Sequence, residues 1–490
     1  MPPYALAGLA VVILLSVLAS ATDHVAGAHL ALAYLFLCVV AFDRYDAREN
    51  DGISPLLSLQ IGLFFAVGTV LVGLVSGGIG LGTVELAAVL VTTVAFVLAR
   101  DDVGSFLPAS LPYLAAYTVL FGVFLHHARP FAAGSGMGLL PVLAGLVLAF
   151  NLFVLPRYLT EDAAYWSISG VAAVVAAVGL PAAIVGDFSV GVLEVRTWGE
   201  SPVLGAAGLE IPVLRSVFAN PNTFGLLMFP GIVTSAVLVH RTHARSASSP
   251  VSIVPIGCLG LTTLGLWLSN SRAGAFATVV ALGIYANYVL HGRGAVPRTL
   301  AAVAVASALL LVAIYASILP IDPANRFALW RAGFEAVRHD ASLLGRGLVG
   351  TRGTIEPYLA DGNGGFSVHN TYLSIAIRTG ILGGTAYLVL VLGPLVHGAL
   401  RIDRANVPML GLATGFAIHQ LFEGYTLYGF GPGSILGALA LGYVIAGLTT
   451  GETRSIPTPA DSSATEPALL PDVYRPGRDD RHRTDGGDRR

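Results

Sequence analysis

The sequence predicts an all-α, polytopic membrane helix bundle of about 12–14 spans with one large external loop. Three observations carry that prediction. Of the 490 residues, 55% are hydrophobic and only 11% charged, whereas soluble domains run near 25% charged. Apolar runs of about 20 residues, the length that crosses a bilayer, recur along most of the chain. Mean hydropathy is +0.75. Soluble packing could not hide that much apolar surface, which excludes a water-soluble enzyme.

In the first half, spans fall at about 3–21, 26–42, 55–75, 82–99, 107–125, 138–155 and 166–185. In the second half they fall at about 222–240, 251–268, 273–290, 299–319, 370–397, 407–422 and 430–448. The first run contains Ala19-Ser20-Ala21, which resembles a signal-peptide cleavage site. It has no basic segment before it and a second span follows at once, so it reads as a membrane helix. Residues 1–319 thus form an N-terminal bundle with an external connection near 186–221. Residues 320–369 form the large external loop, and 370–451 the C-terminal helices. Residues 452–490, rich in Pro, Asp, Arg, Ser and Thr, are expected to be a disordered cytoplasmic tail.

Arginine sets the expected orientation, because all 27 basic residues are Arg. Connections after even-numbered spans hold Arg44, Arg48, Arg100, Arg157, Arg241, Arg245, Arg293, Arg298, Arg401 and Arg404. Short connections after odd-numbered spans hold only Arg129 and Arg272. The positive-inside bias places the even set, and both termini, in the cytoplasm of a plasma-membrane protein. Net charge is −2, too balanced to suggest nucleic acid as a partner. Cys38 and Cys258 lie in apolar runs and read as small buried hydrophobes.

Chemistry is expected on the external side. Arg196 and Arg215 lie in the first long connection, with Arg215 just before Ala219-Asn220-Pro221-Asn222. Ser269-Asn270-Ser271-Arg272 forms a short turn. The second long connection holds Arg326, Arg331, Arg338, Arg346 and Arg352, and ends at His369-Asn370. Asp322 to His339 reads as a helix, with Asp322 as N-cap and Pro323 in its first turn. Phe327, Trp330, Phe334 and Val337 recur on one apolar face. Arg331 could pair with Glu335, and His419 with Glu423, since each pair is four residues apart. Arg378, about two turns into a span, needs a partner or water.

Guanidinium forks bind phosphate oxygens bidentately and keep their charge at any working pH. A histidine beside them can take a proton from a hydroxyl. Arginines and one histidine in a common cavity therefore suit transfer of a group away from a diphosphate. The external loops carry no Asp-x-Asp pair and no ligand-spaced His/Cys/Asp cluster, so no metal and no cofactor is expected. Taken singly, any of these arginines could bind lipid headgroups, and the aromatic stripe could be packing.

At these residues the chain resembles the O-antigen ligase and polymerase superfamily. Arg215 with Asn220-Pro221-Asn222 resembles that family's Arg…Pro-Asn segment. Ser269-Asn270-Ser271-Arg272-Ala273-Gly274 resembles its Ser-x-Ser-Arg-x-Gly turn. Arg326-x-x-x-Trp330, Leu344-Gly345-x-Gly347, His369-Asn370-x-x-Leu373 and Gly380-Ile381-Leu382-Gly383 resemble its large loop and the following helix. The likeness spans about 210–400.

The resemblance implies a GT-C-like, inverting, metal-independent glycosyltransferase for surface polysaccharide or glycoconjugate assembly. The donor would be a polyprenyl-diphosphate-linked glycan, and the acceptor a hydroxyl of a glycan, lipid or protein among membrane lipids. His369 and Arg326 would be catalytic. Arg215 and Arg272 would hold the diphosphate, with Arg331 secondary, and Asn222, Asn370 and Trp330 would support them. The competing reading is a multi-span transporter of a small anion or solute, for which Arg378 and Glu423 are the best signs.

Overall fold

A computed structural model describes residues 107–132, 139–190, 193–200, 212–245, 253–316, 318, 326–340, 342–347, 350–359, 366–429 and 431–450. The first four predicted spans, Cys38, Asp322 and Pro323, and the tail from 452 lie outside the described residues. The chain divides into two units, Met1–Arg454 and Ser455–Arg490, and every described residue belongs to the first.

The described residues form an all-α polytopic bundle with very little sheet. Its helices are α1 Leu107–Ala132, α2 Leu139–Ala149, α3 Glu161–Gly179, α4 Pro221–Arg245, α5 Ile253–Leu268, α6 Arg272–His291 and α7 Val296–Tyr315. After them come α8 Arg326–Asp340, the short α9 Thr351–Ile355, α10 Thr371–Leu400, α11 Val407–Phe422 and α12 Pro432–Thr450. Helix α2 continues through a π-helical turn, Phe150–Val154, into one more α turn, Leu155–Tyr158. Six helices are long and apolar enough to cross a membrane, and four shorter apolar ones accompany them. Together they coincide with all ten spans expected after residue 106.

Direction alternates, as the contacts at the two ends show. At one end Arg241 pairs with Asp162 and Glu161, Arg293 donates to the carbonyls of Ile402 and Ala405, and Tyr165 donates to Asn406. These residues lie in connections after even-numbered spans. At the other end Ser216 donates to the Val175 carbonyl, Asn222 meets Glu423, and Tyr428 donates to the Pro141 carbonyl.

Two small-residue stripes bring α6 and α11 together. A Cβ on Gly411 would lie 3.0 Å from the Ala281 carbonyl, and one on Gly415 3.0 Å from that of Ala277. Gly411-x-x-x-Gly415 therefore faces Ala277-x-x-x-Ala281, the spacing by which membrane helices approach closely. Apolar side chains also cover the outside: Val305, Leu309 and Val312 of α7 are each more than half exposed. Where lipid is the solvent, that costs nothing.

The first long connection contains a three-stranded antiparallel sheet, which the all-helical expectation did not anticipate. Its strands are β1 Phe188–Val190, β2 Leu193–Glu200 and β3 Pro212–Ser216, in the order β1-β2-β3. Phe188 lies opposite Val195, and Val195 and Leu214 are fully buried. The alternating side chains of Leu193-Glu-Val-Arg-Thr were the available sign.

The surface helix α8 also buries a different face from the one expected. Leu329, Ala332, Gly333 and Ala336 are buried, with Trp330 and Val337 packed at the margin, whereas Phe334 is 63% exposed. Small residues decide this, since a Cβ on Gly333 would fall 2.5 Å from Val368 Cγ2. Only a face without bulk can sit that close.

Helix α10 is broken at Gly380, where φ is 68° and ψ −165°. The break frees carbonyls, and a strap satisfies them. Arg346 N–H donates to Ile377 and Gly347 N–H to Arg378, both at 2.9 Å, and Leu382 N–H donates back to Leu343 at 3.2 Å. His127 of α1 fixes the strap through Nε2 and the Leu344 carbonyl, 2.6 Å apart. The continuous span expected around Arg378 is thereby corrected. The arginine sits at the break, with its guanidinium 5.9 Å from the Phe124 ring centroid. Residues 381–400 still supply roughly 30 Å of unbroken helix at 1.5 Å per residue.

Gly380→Ala should therefore destabilise the protein by at least about 2 kcal/mol, because its backbone angles lie in a region open essentially to glycine alone. The added Cβ would also lie 2.3 Å from the Ser342 carbonyl oxygen. Thermal unfolding in detergent checks this, and an unchanged midpoint contradicts it.

Candidate functional site

The site lies where α4, α6 and α10 begin and α11 ends. Helix α11 stops at Phe422, and Glu423 is extended, with φ −133° and ψ 155°. Its side chain has therefore left the row of His419. The expected His419–Glu423 pair is corrected on that ground. Glu423 Oε1 instead accepts from an Arg326 guanidinium nitrogen at 3.1 Å and from Asn222 Nδ2 at 3.0 Å. The other terminal nitrogen of Arg326 donates to the Phe422 carbonyl. The ion pair is largely shielded, with side chains 23% and 13% exposed, so removing either partner would leave a poorly solvated charge behind. His419 is fully buried beside the Tyr425 ring, 5.5 Å between centroids.

His369 approaches the same cluster from the loop before α10. Its φ of 44° is uncommon for a non-glycine residue. Asn370 then caps α10 by accepting the Leu373 N–H at 3.0 Å. Trp330 Nε1 donates to the His369 carbonyl at 3.4 Å, and its indole tilts against Phe422, 5.9 Å between rings. The Thr371 hydroxyl donates to the Glu423 carbonyl at 2.7 Å and also lies against that of Tyr425. The Thr371 side chain thus ties the start of α10 to the backbone just after α11.

Burial pushes the pKa of His369 below its ordinary value. Glu423 pulls it back up, and Arg326 pushes it further down. The lowered value leaves the imidazole neutral at physiological pH, the form that accepts a proton. If His369 is the base, kcat/KM should fall with decreasing pH along a limb whose midpoint lies below about 6.5. A pH–rate profile checks this, and a midpoint clearly above that value contradicts it.

The serine turn abuts the cluster. Ser269 Oγ donates to the Leu266 carbonyl at 2.7 Å, Asn270 takes φ 50°, and Ser271 Oγ caps α6 by accepting the Gly274 N–H at 3.3 Å. Gly225, one turn along α4 from Asn222, packs on it, because a Cβ there would fall 2.3 Å from Ser271 Cβ. Arg272 is exposed in the first turn of α6.

Two expected arginines are not among these contacts. Arg215, on β3, donates to the Ala219 carbonyl at 3.1 Å and lies over Trp198, 5.5 Å from the ring centroid. Arg331 is exposed on α8. Glu335, its expected partner, meets His339 at 3.4 Å. Among the residues named from sequence, the structure brings together Arg326, His369, Trp330 and Asn222, with Asn370 as a helix cap. Glu423 was not singled out for the site. Its sign was an acid closing an otherwise apolar run.

Residues 257–388 match the family model described as O-antigen ligase. The chain carries an O-antigen ligase domain. The match supports assignment of the chain to the O-antigen ligase/polymerase superfamily. With the apolar helices, it supports an integral membrane protein of the glycan ligase or polymerase kind. The O-antigen ligase domain spans the serine turn, α8 and the first part of α10. It includes Arg272, Arg326, Arg331 and His369, while Arg215, Asn222 and Glu423 lie outside the match. No curated protein matches the chain.

Proposed function

We propose that this protein transfers a glycan from a polyprenyl-diphosphate donor to an acceptor hydroxyl on the outer face of the plasma membrane, with inversion and without a metal. The observation that carries the reading is the meeting of Arg326, His369, Asn222 and Glu423 at one end of the bundle, beside the serine turn of the ligase domain. Arg326 and Arg272, with Arg215 and Arg331 at the margin, hold the diphosphate. They neutralise charge where it develops on the leaving group. The acceptor oxygen attacks the anomeric carbon as its proton passes to His369. The bond to the diphosphate breaks, and its electron pair leaves with polyprenyl diphosphate.

The acceptor is a glycan, lipid or protein hydroxyl. The large loop faces outward and the termini inward, in keeping with the arginine asymmetry.

The test is incubation of the purified protein in lipid vesicles with a labelled polyprenyl-diphosphate glycan and an acceptor. Label moving to the acceptor is the expected result. No movement, alongside uptake of a small anion by the same vesicles, would replace this reading with that of a transporter.

A further inference from the structure

We propose that Glu423 is a positioning carboxylate that changes partner during the reaction, holding Arg326 until the donor diphosphate takes that guanidinium and then pairing with the imidazole of His369. The inference rests on the glycan-transfer reading and adds the device that couples donor binding to base activation.

Four observations support it. Glu423 lies outside helical register and both of its side-chain contacts fall on Oε1, so its second oxygen makes neither. The Thr371 hydroxyl, two residues after His369, donates to the Glu423 carbonyl, and Trp330 holds the His369 carbonyl, so both residues are fixed at the same helix ends. The charged groups acting on His369 are Glu423, from the end of α11, and Arg326, from α8, which also acts on buried His419 of α11. Any loss of the Arg326–Glu423 pair is thus felt directly at His369.

A diphosphate carries more negative charge than one carboxylate and matches the guanidinium fork. Competition for Arg326 favours the donor. The displaced carboxylate is then repelled by the diphosphate and finds a neighbouring imidazole. The carboxylate takes no proton in this step, and the acceptor proton ends on His369. A carboxylate beside a base steadies the imidazolium that forms. Asn222 keeps Oε1 anchored during the exchange, so the carboxylate need only pivot.

The experiment compares wild type, Glu423→Gln and Glu423→Asp in vesicles with labelled polyprenyl-diphosphate glycan, measuring donor binding, kcat and the pH dependence of kcat. In wild type the acid limb of kcat should lie at higher pH than that of kcat/KM, because the donor-bound state has the carboxylate on His369. Glu423→Gln should bind donor at least as tightly, lose about 10–100-fold in kcat, and bring the two limbs together. Glu423→Asp should restore both the separation and most of kcat.

Wild-type kcat and unchanged limbs in Glu423→Gln would overturn the proposal. So would equal loss of donor binding in both variants, which marks a structural role. Failure of the wild-type protein to transfer any glycan would instead overturn the functional reading itself.

Discussion

His369→Asn should lower kcat by about 10²–10⁴-fold, the range expected for loss of a general base, while donor binding and folding survive. Asparagine is the better probe than alanine for a backbone reason. Position 369 has φ 44°, and asparagine tolerates that region while alanine resists it. The contact holding this loop uses the His369 backbone carbonyl, so Trp330 keeps its partner in the variant. The cap on α10 belongs to Asn370 and is untouched. Turnover, retention of labelled donor and thermal unfolding together decide the matter. Wild-type turnover in His369→Asn would remove the imidazole from the mechanism.

Arg326→Lys should raise the donor KM and lower kcat, with a combined loss in kcat/KM of roughly 10–150-fold. That corresponds to one hydrogen bond to a charged group, about 1.5–3 kcal/mol. Arginine here spans two anchors, the Phe422 carbonyl and the Glu423 carboxylate. A lysine ammonium is a point charge that cannot hold the Phe422 carbonyl and also offer phosphate a fork. Arg326→Ala should do more. It would leave Glu423, only 13% exposed, facing Asn222 alone, and cost up to about 3 kcal/mol of stability after allowance for partial solvation. Steady-state kinetics and thermal unfolding of the two variants check this. A lysine variant with unchanged kcat/KM would show that Arg326 serves only to anchor α11.

The sites differ in how much of them a reader of the sequence could find. Arg326, His369 and Trp330 were legible because each sits in a short motif with fixed spacing. So was the serine turn, whose residues cap and bend the chain locally. Glu423 was not, because its role depends on where α11 ends. A helix one residue longer would have kept it over His419. The break beside Arg378 was hidden for the same kind of reason. A glycine inside an apolar run can be packing or a break, and only the strap docked at Gly380 shows which.

Sequence alone determined the membrane class and the ten spans within the described residues, because hydropathy sums over some 20 neighbouring residues and needs no knowledge of what they touch. Tertiary structure alone decided that Glu423 holds Arg326 and Asn222, and that Phe334 points away from the bundle. The physical reason is range. Those outcomes turn on helix ends brought together by close contacts such as Gly411 and Gly415 on α6, and the partners lie roughly a hundred or more residues apart along the chain.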